Sequence, residues 1–158
     1  MQGMTELDRA KMNTVKEYLN RYAPANENMR SLSELNIHIS EDLTNPSIGG
    51  RGYSSGSGGS HISGGAGSTV VNSDTMKSYS QTQAERNRAI MSEVEFAIAL
   101  LDVTRGKTII EKRFIASLPW RKIHKDMNLC RDTCYTLYRE SMLLLYDRMV
   151  AAGLIKPI

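Results

Sequence analysis

Apolar positions recur at three- and four-residue steps along most of this 158-residue chain, and one long stretch interrupts the recurrence. Leu7, Ala10, Val15, Tyr18, Leu19 and Tyr22 make the first stripe. Thr5 and Asp8 can cap its start, so a helix is expected over 5–22. Pro24 is expected to break it. Met29, Leu32, Leu35, Ile39 and Leu43 then predict a second helix over 25–43. Two amphipathic helices joined by a short Pro turn read as an N-terminal helical hairpin, residues 1–43. Alone it would bury too little surface to be stable, so it should dock on the rest of the chain or on another copy.

Residues 44–73 are different material. Positions 45–73 hold nine of the twelve Gly, many Ser and a single charge, Arg51. Such a segment cannot bury enough apolar surface to offset its ordering entropy, which predicts a flexible linker spanning roughly 30 Å. The run from Gly50 to Gly56 has neither the strand before it nor the spacing of a phosphate-cradling loop.

Periodicity returns over residues 74–158. Asp74 has the chemistry of a helix cap, and Tyr79, Ile90, Val94, Ala97, Ile98 and Leu101 predict a long helix over 75–102, about 40 Å in length. Gly106 is expected to stop the run. Ile109, Ile110, Phe114 and Leu118 predict a shorter helix over 107–117. From Pro119 the pattern becomes that of a helix-turn-helix, over about 119–152. Pro119 suits a helix start. Trp120, Ile123 and Met127 share one face. Asn128 tolerates the left-handed backbone that a tight turn needs, and Leu129 should plug the corner. A last helix over 131–152 turns Cys134, Leu137 or Tyr138, Ser141 and Leu145 inward, and Gly153 ends it. The fold class expected is therefore all-α: hairpin, Gly/Ser linker, and a C-terminal helical domain.

Charge sharpens this picture. Residues 1–43 carry five basic and seven acidic side chains, residues 74–103 three and five, and residues 104–158 eleven and five. The net +3 of the chain thus hides a surplus of +6 around the helix-turn-helix, as a polyanion partner would require. On the first motif helix, Arg121, Lys122 and Lys125 are placed to meet phosphates. On the second, Arg131, Asp132, Thr133, Tyr135, Thr136 and Arg139 point outward, where they can reach base edges in a major groove. Asp132 reads first as a helix-start carboxylate and second as an acceptor from cytosine.

Other chemistries find little support in the residues. His38, His61 and His124 form no usual arrangement with an Asp and a nucleophile, so no catalytic residue, and no enzyme, is expected. Cys130 and Cys134 sit one helical turn apart, a poor geometry for a disulfide, and lack the second pair that structural zinc needs. Cys134 should pack in the core and Cys130 should sit half-exposed at a helix start. No metal or cofactor is expected. No apolar run nears the ~20 residues that span a bilayer, and residues 1–8 do not read as a signal peptide. The expected setting is cytoplasmic and reducing.

The stretch from Thr108 to Met149, "TIIEKRFIASLPWRKIHKDMNLCRDTCYTLYRESMLLLYDRM", is similar to the sigma-factor region-four-like domain of phage late-gene regulators. Phe114, Trp120, Ile123, Met127, Leu129, Thr133 and Leu145 stand at the corresponding places. The whole layout resembles the RinA-like and ArpU-like transcriptional regulators of phages of Gram-positive bacteria, including an Ile48-Gly49-Gly50 stretch in the middle. The specific part of the resemblance covers about residues 85–155. It departs from the pattern at Cys130, where Ser or Thr is usual, at Asp132 and Glu140 in the recognition helix, and in an apolar tail. The resemblance implies activation of a late operon at a phage promoter in a bacterial host cell, with double-stranded DNA and host RNA polymerase as partners. One module of this size binds specific DNA weakly, so a homo-oligomer or a polymerase contact is expected. Two alternatives stay open on the sequence: a DNA-packaging protein such as a terminase small subunit, and a non-enzymatic protein-interaction module.

Overall fold

A computed structural model of the chain describes the backbone of residues 5–44 and 65–158, and the side chains of residues 5–37 and 74–158. Every described element is helical. The order is α1 (Glu6–Leu19), α2 (Tyr22–Thr44), α3 (Gly65–Ala99), α4 (Arg105–Ile110), a π-helical turn (Glu111–Ile115), α5 (Trp120–Met127) and α6 (Arg131–Ala151). The chain is all-α, as its periodicity predicts. Positions 45–64 of the Gly/Ser linker, with Arg51, His61 and Ile48-Gly49-Gly50, lie outside the described residues, as do the side chains of His38, Ile39 and Leu43.

Two compact units form, residues 1–27 with 87–158, and residues 28–86. The second unit holds most of α2 and the first part of α3. Its buried polar group is Ser80, 1% exposed, whose hydroxyl donates to Asn36 Oδ1 at 3.0 Å. Tyr79, expected on the inner stripe, is 64% exposed. The buried register is thus one residue later than the aromatic suggested, a shift of about 100° around a helix. Helix α3 begins at Gly65, ahead of the start that Asp74 predicted, and Asp74 lies within it. A helix once nucleated runs through polar and Gly positions at about 1 kcal/mol per Gly, so a capping residue does not by itself set a boundary.

The first unit contains the apolar core. Thr5 caps α1 through a reciprocal pair: its hydroxyl accepts from the Asp8 N–H, and the Asp8 carboxylate accepts from the Thr5 N–H. Helix α1 buries Met12, Val15 and Leu19 and packs on α6. Leu7, expected inside, is 52% exposed, and Met12 takes the core place instead. Pro24 does not break a helix. It is the third residue of α2, where its missing N–H is one that no helical turn would have used. Tyr22 begins α2, is buried, and donates from its hydroxyl to Glu95 Oε1 at 2.9 Å.

Gly106 does not stop a helix either. Helix α3 ends at Ala99, and the N–H groups of Leu100 and Leu101 turn back to Ala97 and Ile98. Cations satisfy the carbonyls that follow: Arg148 donates to Leu100 O and to Asp102 Oδ2 (2.7 Å), and Lys107 Nζ donates to Leu101 O at 3.2 Å. The Arg148 contact holds the Asp102 carboxyl below its usual range. Gly106 instead lies inside α4, capped by Thr104, and is buried against α6. A side-chain carbon there would overlap Ser141 Oγ and stand 3.1 Å from the backbone oxygen of Leu137. Its missing side chain therefore lets α4 approach α6 closely. Ile109, Ile110, Phe114, Ile123, Cys134, Met142, Leu145 and Met149 fill the space between these helices. The single helix expected over 107–117 passes into the π-helical turn and ends at Ile115, ahead of Ser117, whose φ of 51° is left-handed.

Candidate nucleic-acid interface

Helices α5 and α6 are joined by a short turn over Asn128 to Cys130. Pro119 is extended (φ −70°, ψ 149°) and precedes the first turn of α5. Ile123, fully buried, ties α5 to the core, and truncating such a residue to Ala costs about 2–5 kcal/mol. Asn128 takes the left-handed conformation (φ 51°, ψ 45°). With that turn made, the Leu129 N–H reaches His124 O and the Asn128 N–H reaches Lys125 O, each at 3.2 Å. This pairing closes the end of α5 and directs the chain into α6. Leu129 packs against the core at the corner. At the far end, Gly153 (φ 73°) lets the Leu154 N–H bond to Met149 O and its own N–H to Val150 O, which stops α6.

The buried stripe of α6 is Cys134, Tyr138, Met142, Leu145, Tyr146 and Met149. Beside it, Asp132, Tyr135, Thr136 and Arg139 lie on one continuous face, at i, i+3, i+4 and i+7. Arg131 and Thr133 flank that face in the first turn. Tyr135 is 50% exposed, Thr136 is exposed and Arg139 half-buried, so none of the three is lost to the core. On α5, Arg121, Lys122 and Lys125 are all exposed on the outer side. Among the described residues, no carboxylate pairs with Arg121, Lys122, Lys125, Arg131 or Arg139. The remaining acid of α5, Asp126, is taken by Lys112 of the π-helical turn at 3.2 Å. Pairing removes that negative charge from the field of the α5 cations.

Two hydroxyls of α6 are already engaged. Thr136 donates to the Asp132 carbonyl at 3.0 Å, and Thr133 Oγ1 lies 2.9 Å from Cys130 Sγ. Cys130 occupies the N-cap position, is exposed, and its side chain caps no backbone N–H there. The contact with Thr133 holds its thiol below the usual value. Cys134 is buried, and burial pushes its thiol up. Asp132, in the first turn of α6, complements the positive end of the helix dipole.

Sequence reasoning missed the aromatic group behind this face. Trp120 meets Tyr138 edge-on, with ring centroids 5.0 Å apart and planes at 81°. Tyr135 lies 6.1 Å from Trp120 and 6.0 Å from Tyr138. The Arg113 guanidinium sits 5.7 Å from the centre of the Trp120 ring and donates to Leu118 O at 3.1 Å. These contacts join residues of three elements, and the signal for them was an aromatic at 120 followed by two at 135 and 138.

Among the described residues, no group of three His, Cys, Asp or Glu side chains could hold a metal ion, and no helix is long and apolar enough to cross a membrane. No protein-family model, curated protein or solved structure matches this chain.

Proposed function

We propose that α5 and α6 form a helix-turn-helix that binds duplex DNA, and that the protein is a transcriptional regulator acting through this module. The observation that carries the reading is the set of five cations on the outward side of α5 and the first half of α6, none held by a carboxylate among the described residues. Arg121, Lys122 and Lys125 meet backbone phosphates and supply sequence-independent affinity. Arg131 and Arg139 enter the groove, where an Arg makes bidentate contact with guanine. The Thr136 hydroxyl is spent on its own helix, so its methyl is the group offered to the groove, suited to a thymine methyl. The resemblance to phage late-gene regulators supports activation with host RNA polymerase, in the bacterial cytoplasm and as a homo-oligomer, over the other regulatory roles.

Binding-site selection with the purified protein, repeated with Arg131→Ala, tests this. One enriched sequence is expected, with the Arg131 variant losing about 1–3 kcal/mol on that sequence and much less on random duplex. Equal loss on both would contradict groove insertion. Enrichment of a packaging site in place of a promoter would transfer the same interface to the DNA-packaging reading. A protein-binding role for this face has one observation in its favour, the acidic Asp132 and Glu140 beside Arg139. Absence of any salt-sensitive DNA binding would leave that reading in place.

A further inference from the structure

Beside the aromatic group lies a cleft of about 440 Å³. Lys16 of α1 and Asn20 just after it line it on one side, Arg113 on another, and Trp120, Tyr135 and Tyr138 form its aromatic wall. All of these residues belong to the first compact unit. Tyr138 is only 2% exposed, yet its hydroxyl makes no hydrogen bond among the described residues. Side-chain polar atoms wholly closed off from solvent are all paired among the described residues, so this hydroxyl keeps a sliver of surface, and the cleft is the space that Tyr138 lines. A hydroxyl so nearly enclosed is usually paired, and one left over at a cleft wall is a donor waiting for a partner. Burial pushes this phenol up to about 12, with Tyr135 adding and Arg113 opposing, so it stays a neutral donor across the physiological range. Neither Lys16 nor Arg113 pairs with a carboxylate among the described residues. The unpaired Tyr138 hydroxyl, Lys16, and an Arg113 that already donates to Leu118 O thus converge on a space with aromatic walls.

We propose that this cleft binds a small anion that carries a planar aromatic ring and has the size of a mononucleotide. The volume falls in the range of small-molecule sites, and a bare phosphate would leave most of it to water. The rings of Trp120 and Tyr135 provide stacking surface for a base, and Tyr138, Arg113 and Lys16 provide the donors for the charged end. The cations of the site come from α1 and the π-helical turn, outside α5 and α6, while Trp120, Tyr135 and Tyr138 of its wall belong to those two helices.

Trp120 is the chain's single tryptophan, so its fluorescence reports on occupancy directly. The test titrates the full chain with adenosine monophosphate, adenosine and inorganic phosphate separately. A saturable change with the monophosphate is expected, with a Kd below about 1 mM. Adenosine and phosphate should each bind at least roughly tenfold more weakly. Tyr138→Phe removes a hydroxyl that bonds nothing among the described residues, so its melting temperature should match the wild type, while monophosphate affinity falls about tenfold or more. Lys16→Ala should weaken it as well. No saturation overturns the proposal, as does affinity unchanged in both variants, or phosphate alone binding as tightly as the nucleotide. A Tyr138→Phe variant that loses duplex-DNA affinity while the monophosphate fails to bind would mark the hydroxyl as a DNA phosphate contact and overturn the proposal too.

Discussion

Replacing Gly106 by Ala sets two physical effects of opposite sign against each other. Gly106 is a helical residue, and helix propensity alone makes Ala more stable there by about 1 kcal/mol. Packing says the reverse. The added carbon would overlap Ser141 Oγ and meet Ser141 Cβ at 2.8 Å and Leu137 O at 3.1 Å. The hydroxyl can rotate away. The Ser141 Cβ and the Leu137 carbonyl belong to α6 itself and cannot, so α4 and α6 must separate by roughly 0.6 Å to restore ordinary contact. Overpacking of a core costs 1–3 kcal/mol, and this contact falls at the upper end, about 3 kcal/mol. Net of the propensity gain, Gly106→Ala should destabilise by about 2 kcal/mol. For a chain of this length that lowers the melting temperature by about 4–8 °C. Urea unfolding followed by circular dichroism measures it. In a Ser141→Ala background the penalty should shrink by about 0.5 kcal/mol or more, because the hydroxyl contact is gone. A Gly106→Ala variant as stable as the wild type, or more stable, would refute the close approach of α4 and α6.

Two further outcomes check other parts of the structure. Arg148→Met removes the donors to Leu100 O and Asp102 while keeping the apolar stem, and should destabilise by about 1–2 kcal/mol in the same unfolding assay; no change would mean that the carbonyls after α3 are satisfied by water. Alkylation of the native protein should modify Cys130 and spare Cys134, since one thiol is exposed with its thiolate favoured by Thr133 and the other is buried with its thiolate disfavoured. The pH midpoint for Cys130 should lie below that of an ordinary thiol and rise in Thr133→Val, and equal labelling of both cysteines by mass spectrometry would contradict this.

The turn between α5 and α6 was legible because its signals are local. Pro119, Asn128 and Gly153 each act within a few residues, through a fixed φ or a left-handed turn, and the structure uses Asn128 and Gly153 in that way. Spacing placed Cys134, Tyr138 and Leu145 on the buried face of α6, but put Ser141 there where the structure buries Met142. What was not legible depends on residues far apart in sequence. Gly106 looks the same as a helix stop and as a packing notch, and only Ser141, brought against it by the fold, decides between them. Leu7 and Tyr79 fit a helical stripe but face solvent, while Met12 and Ser80 are buried. The π-helical turn and the left-handed Ser117 have no local sequence mark. Most of the outward residues named on α5 and α6 are exposed, with Arg139 half-buried, and the engagement of the Thr133 and Thr136 hydroxyls and the Lys112–Asp126 pair, which fix what that face offers, has no mark in the spacing.

The slope of duplex-DNA affinity against salt tests the proposed function most directly. Fluorescence anisotropy would follow the wild type and an Arg121→Ala, Lys122→Ala, Lys125→Ala triple variant across a range of salt concentrations. Removing one phosphate-neutralising cation should lower the logarithmic slope by about 0.9, so removing all three should flatten it by about 2.7. All three side chains are exposed, so the variant should remain folded. The same steep slope in both proteins, or no salt-dependent binding in either, would contradict a DNA-binding face on α5 and α6.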